Sequence, residues 1–124
     1  MQVNNNELTI QGFKFTIPDG FKENETAKKV GEDYNSDGLK ISTAAFDKGD
    51  ERVLVSVIFG NTELDDDTYT PSENATAKKL ADEDGWYEEY DGGVAFDYIE
   101  DGKVIHIFAP DEATLVSILQ SAQD

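Results

Sequence analysis

The stretch from Trp86 to Phe108 restricts the possible folds more than any other part of the chain. Three runs rich in aromatic and β-branched residues, 86–90, 94–99 and 104–108, are separated by Asp91-Gly92-Gly93 and by Asp101-Gly102. Glycine supplies φ > 0 at no steric cost, so both separators are hairpin signals. Runs this short, joined by turns this tight, pair as an antiparallel meander, because a parallel partner needs a crossover of a dozen or more residues.

The same pattern recurs upstream. Residues 7–10 and 13–17 read as two strands joined at Gln11-Gly12. In the second, Phe13, Phe15 and Ile17 alternate with Lys14 and Thr16 at the period of a half-buried strand. Pro18-Asp19-Gly20 ends it with turn chemistry. Residues 39–46 set Leu39, Ile41, Thr43 and Ala45 on one face, and Lys48-Gly49-Asp50 makes a hairpin loop. Residues 52–59 follow with Val53, Val55, Val57 and Phe59 on one side and Leu54 and Ile58 on the other, the pattern of a central strand covered on both faces. Residues 22–34 fit either a short helix or a solvated strand, and 61–74, with Asp65-Asp66-Asp67 and Pro71, read as a surface loop.

At the C-terminal end Pro110-Asp111 opens a helix. Asp111 is placed to accept from the first unpaired N–H groups, and Glu112 suits the positive end of the helix dipole. Leu115, Ile118, Leu119 and Ala122 fall on one stripe, which belongs against the sheet. The expected fold class is therefore α+β. It is a single domain whose single, mainly antiparallel sheet is packed by a C-terminal helix over about residues 111–122, behind a disordered tail at residues 1–6.

One segment is echoed. Asn24-Glu25-Thr26-Ala27-Lys28-Lys29-Val30 resembles Asn74-Ala75-Thr76-Ala77-Lys78-Lys79-Leu80. Two copies fall short of the three that a solenoid needs. The second copy is too weakly apolar for a helix and reads as extended, pairing 78–80 with 86–90 across 82–85. Both copies carry an N-x-T sequon, at Asn24 and Asn74, which suits a surface location.

Charge narrows function. The chain has 10 basic and 27 acidic residues, a net charge of −17. Residues 1–62 hold 7 basic and 10 acidic side chains, whereas residues 63–124 hold 3 and 17. Such a field repels phosphate backbones, so nucleic acid is not an expected partner, and it favours cations or a basic partner. No apolar run approaches the roughly 18 residues of a membrane span. The absence of cysteine excludes disulfides and thiolate chemistry. The polar start, Met1-Gln2-Val3-Asn4-Asn5-Asn6, has no signal-peptide pattern, which fits a cytoplasmic protein or a mature domain without its export segment.

Sites that could carry chemistry are few. Asp33-Tyr34-Asn35-Ser36-Asp37-Gly38 matches the head of a calcium loop, in which alternate oxygen ligands converge before a glycine turn. Asp33, Asn35 and Asp37 are its candidate ligands. The tail does not match: Ile41 and Ala44 stand where the ninth and twelfth positions require oxygen ligands. His106 is the only histidine, so a Ser-His-Asp triad or a histidine metal site would have to include it. It reads as a strand histidine on the face of Val104 and Phe108. No phosphate-binding glycine loop or nucleophile elbow is present, and a carboxylate pair cannot be singled out among so many acids. Trp86, Tyr87, Tyr90 and Tyr98 cluster in the meander, where outward-facing rings would suit a sugar or a protein partner.

The opening Leu8-Thr9-Ile10-Gln11-Gly12-Phe13-Lys14-Phe15-Thr16-Ile17-Pro18-Asp19-Gly20-Phe21 resembles the start of small exported or cell-surface domains of methanogenic archaea. The segments Phe96-Asp97-Tyr98, Asp101-Gly102-Lys103-Val104 and Ala109-Pro110-Asp111-Glu112 are similar to the closing meander and final helix of that group. A more distant similarity is to PsbP/Mog1-like α+β domains, which act as binding modules. These resemblances imply an archaeal, exported β-rich module without an assigned activity. The expectation is a non-catalytic, acidic binding or structural module at the cell surface, with no cofactor and an unknown protein or glycan partner. Its alternatives are a calcium-binding domain and, behind that, a carboxylate-dependent hydrolase.

Overall fold

The computed structural model describes residues 2–4, 6–34, 38–60, 64 and 72–122. Two antiparallel sheets and one helix enclose the core. Strands β1 (Gln2–Asn4), β2 (Glu7–Ile10) and β3 (Phe13–Thr16) form a three-stranded sheet in that order. The segment expected as a disordered tail therefore supplies a strand at residues 2–4, where Val3 pairs with Leu8. The single sheet of the sequence reading becomes two sheets for the same reason: the β2–β3 hairpin takes β1 as its third strand instead of joining the meander.

The main sheet follows. It contains β4 (Lys22–Glu23), β5 (Lys29–Asp33), β6 (Lys40–Lys48), β7 (Glu51–Phe59), β8 (Thr76–Leu80), β9 (Glu83–Tyr90), β10 (Gly93–Glu100) and β11 (Lys103–Ala109). Its order is β4-β6-β7-β11-β10-β9-β8, with β5 also paired to β6. Helix α1 (Glu112–Ser121) closes the chain, with Asp111 Oδ1 accepting from the Thr114 N–H at 2.7 Å. The 22–34 segment is neither one helix nor one strand. A 3₁₀ turn at Glu25–Ala27 separates β4 from β5, and β5 is bulged between Lys29 and Glu32.

Turn chemistry sets the registers. Gln11-Gly12 and Asp101-Gly102 are two-residue turns with both residues left-handed (φ 49° and 86°, 52° and 75°), the geometry that matches strand twist. Ala81-Asp82 adopts it too (φ 48° and 66°) without a glycine. This ends β8 at Leu80 and starts β9 at Glu83, so Lys78 pairs with Gly85 and the strand begins earlier than its apolar pattern indicates. Asp91-Gly92-Gly93 differs from expectation, because none of its residues lies in the left-handed region. Gly93 is there for space: a Cβ would stand 2.3 Å from the Ala109 carbonyl oxygen.

The core lies between the sheets. On the inner face of the main sheet Val53, Val55, Val57, Phe96, Tyr98, Ile105 and Ile107 are buried under Leu115, Ile118 and Leu119 of α1 and under Leu8, Ile10, Phe13 and Phe15 of the small sheet. The small sheet is pinned at its hairpin tip, where Gln11 Nε2 donates to Ser42 Oγ at 3.2 Å and Lys103 Nζ donates to the Gln11 carbonyl at 3.2 Å. The edge strand β8 exposes Lys78 and Lys79, charges that discourage further strand pairing. Lys78 Nζ lies 4.2 Å from the centre of the Tyr87 ring and 2.9 Å from Glu112 of α1, tying that edge to the helix. Among the described residues no helix is long and apolar enough to cross a membrane.

Candidate functional site

Among the described residues the opposite, outer face carries no helix, and its registers line side chains up in rows across the strands. Ile41, Ile58, Val104 and Ile99 form the first row. Leu64, in the segment read as a surface loop, is buried against this row, and residues 61–63 and 65–71 of that loop lie outside the described residues. The third row is Ala45, Leu54, Phe108, Ala95 and Glu88. Between them runs Thr43, Ser56, His106, Asp97 and Trp86, a polar row in the middle of a sheet.

The polar row is satisfied from within. Thr43 Oγ1 and Ser56 Oγ share a hydrogen bond of 2.9 Å, and the His106 ring is held through Nδ1 by the Asp97 carboxylate. The Asp97 side chain is 16% exposed and that of His106 34%, so the pair is half-buried yet reachable from solvent. With the carboxylate accepting, Nδ1–H is the donor.

An open cleft of about 370 Å³ lies over this row. Alternation along β9 turns Trp86, Glu88 and Tyr90 into it, while Tyr34 enters from the end of β5 and Ile41, Ile58 and Ala95 line its floor. Tyr90 packs on Phe108 with ring centres 6.1 Å apart and a 56° tilt. Burial pushes the Tyr90 hydroxyl up from its ordinary value, and the hydrogen bond to Glu88 and the charges of Glu88 and Asp97 push it further.

The four aromatic residues expected to act together are divided by strand alternation. Trp86 and Tyr90 line the cleft, whereas Tyr87 and Tyr98 point into the core and are 9% and 1% exposed. Burial, followed by the charges of Glu100 and Glu83, drives the Tyr98 hydroxyl far up, and its ring packs in the core. Sequence reasoning missed Asp97, Glu88, Ser56 and Tyr34. For Asp97 a signal existed, because a two-residue turn at Asp101-Gly102 places Asp97 directly opposite His106.

Of the calcium candidates, Asp33 ends β5 opposite Lys40, and Lys40 Nζ lies 2.5 Å from its carboxylate. The hydrogen bond and charge of Lys40 hold the Asp33 carboxyl below its usual range. Asn35 and Asp37 lie outside the described residues. Ala44, at the twelfth position, is fully buried in β6. Among the described residues no group of three histidine or carboxylate side chains is placed to hold a metal ion. The sequon at Asn24 has a local role: Asn24 Oδ1 accepts from Thr26 N and Thr26 Oγ1 at 3.1 and 2.6 Å, and Nδ2 donates to Asp47 at 2.8 Å. It caps the 3₁₀ turn. No protein-family model matches this chain, and no curated protein and no solved structure matches it.

Proposed function

We propose that this protein is a non-catalytic binding module whose ligand site is the outer-face cleft. The observation that carries the reading is the cleft itself: about 370 Å³ walled by Trp86, Tyr90 and Tyr34 around the half-buried Asp97–His106 pair. That volume and mixture of apolar walls with a few fixed polar groups is what small-ligand sites have in common.

The polar row supports binding over nucleophilic catalysis. Ser56 faces His106 across the ladder, but its hydroxyl is bonded to Thr43, not activated by the imidazole. β7, β11 and β10 are each paired on both sides, which commits their own N–H groups to ladders and not to an oxyanion. A second reading, a carboxylate-dependent hydrolase, draws on Glu88 and Asp97 sharing the cleft. The Asp97 carboxylate is already engaged by His106. The acidic, cysteine-free composition and the likeness of the opening motif to exported archaeal domains support display at the cell surface.

The test is a fragment screen of mixed sugars, amines and acids, followed by amide and indole NMR shifts. Binding should move Trp86, Tyr90, Ala95 and His106 together and leave Tyr87 and Tyr98 in place. Shifts confined to the β8 edge or the small sheet would overturn the site. Turnover of an aryl glycoside or ester that vanishes in Asp97→Asn would favour the hydrolase.

A further inference from the structure

We infer that the cleft takes an organic cation with a tertiary or quaternary ammonium head, in which the positive charge is spread over methyl or methylene groups; this rests on the binding-module reading above. Three independent features meet there. The first is charge. The chain has ten lysine and arginine residues, yet among the described residues that line the cleft there is none, while Glu88 and Asp97 both do. Burial first, and then Glu88 and Asp97, push the Tyr90 hydroxyl up from its ordinary value. The net charge of −17 concentrates cations around the whole molecule.

The second feature is the walls. Tyr34 and Tyr90 are 50% and 48% exposed, two of the three most exposed large apolar side chains among the described residues, and both stand at this cleft beside Trp86. Aromatic faces attract cations through their quadrupoles, tryptophan most strongly, and a cage of such rings suits a quaternary ammonium.

The third feature separates kinds of cation. The Asp97 carboxylate already accepts from His106, and Glu88 helps to push the Tyr90 hydroxyl up from its ordinary value. The carboxylates thus supply charge to the cleft more than they supply acceptors. A primary ammonium or a guanidinium brings three or five N–H donors that lose water on entry and need partners. A tertiary or quaternary ammonium brings at most one, and its methyl groups match the apolar floor of Ile41, Ile58 and Ala95.

Trp86 is the only tryptophan, so indole fluorescence of the intact chain reports this cleft alone. The experiment titrates choline, its neutral carbon isostere 3,3-dimethylbutan-1-ol, methylammonium and a neutral methyl glucoside at constant ionic strength. It follows Trp86 emission together with the NMR shifts of Tyr90 and Ala95. Choline is expected to saturate the signal at least tenfold more tightly than the isostere and than methylammonium. Glu88→Gln should weaken choline by three- to tenfold with an unchanged amide spectrum elsewhere. Tyr90→Leu, which keeps the charges, should weaken it comparably.

Equal affinity for choline and its isostere would overturn the cation assignment while leaving the cleft a binding site. So would tighter binding of the glucoside or of methylammonium. Silence at Trp86 towards all four compounds would also overturn the assignment, and the binding reading itself falls only if the fragment screen leaves the polar row silent as well.

Discussion

The two faces of the main sheet are made from alternate residues of the same strands, and they are composed differently. Inward, β7, β10 and β11 present Val55, Phe96 and Ile107, all fully buried under α1 and the small sheet. Outward, the same strands present Ser56, Asp97 and His106, polar groups in the middle of a ladder where packing alone would place valine or isoleucine. Each of those polar groups has a partner on the neighbouring strand, so the row is tolerated by the fold without being required by it. Core and cleft are separated here by strand parity: one residue's shift along a strand exchanges a core position for a cleft position.

The largest effects should therefore come from inward residues and leave the outer face intact. Phe96 is fully buried, and Phe96→Ala should cost about 3–5 kcal/mol in urea unfolding, the usual range for emptying an aromatic site in a core. Its residual folded fraction should still shift the Trp86 signal with ligand. If a cavity variant on the inner face abolished cleft binding at temperatures where the chain is folded, the separation of faces would be wrong.

The outward polar row should respond in a way that no inward position can. Ser56→Ala leaves the buried Thr43 hydroxyl without its partner and should cost about 1–2 kcal/mol. The double variant Thr43→Val/Ser56→Ala removes both groups, and replacing both partners by apolar groups of similar shape is nearly neutral. It should recover most of the single-variant loss in the same urea series. A double variant that loses as much as the sum of the single ones would show that the row carries structural weight of its own.

Next in size is the cover of the inner face. Asp111 caps α1, and its carboxyl is held below its usual range by the Thr114 N–H. Asp111→Ala should cost about 1 kcal/mol, a typical helix N-cap loss. Because that carboxyl's folded value is depressed, its contribution is present at neutral pH and lost as pH falls through the folded value. Unfolding of Asp111→Ala and of the parent chain should converge in acid.

How much of this was legible in the sequence follows the range of the interactions involved. The parity of each strand could be read, because period-2 alternation is local: Val53, Val55 and Val57 went inward as their spacing indicates. So could α1, whose cap and stripe lie within one helix. The register across hairpins was partly legible. The Asp101-Gly102 turn fixes Asp97 against His106, but Ala81-Asp82 hid a turn of the same geometry because it lacks glycine. The pairing of β7 with β11 was not legible. No turn joins them, and the two strands are brought side by side by the closure of the whole sheet, so nothing local places Ser56 beside His106. The same reason hid the cleft, which needs Tyr34, Ser72 and Trp86 from three distant segments.

The smallest predicted effect concerns the point where the inner face runs out into solvent. Glu100 follows Val94, Phe96 and Tyr98 in parity, and its carboxyl is pushed up by burial, then by the charges of Glu83 and Asp101. Its sign is opposite to that of Asp111. An acid whose folded value is raised keeps its proton longer in the folded chain, so it is neutral in effect in acid and subtracts stability as pH rises above the unfolded value of about 4.3. Glu100→Gln removes that penalty while keeping the shape. The variant should unfold at higher urea than the parent chain at pH 7, and the difference should vanish below about pH 4, where both states of the parent are protonated. A gap of the same size at both pH values would mean that the gain comes from packing of the amide, and a parent chain more stable at pH 7 would mean that the glutamate is held by a favourable partner. Either result would move the boundary between the two faces inward from Glu100 to Tyr98.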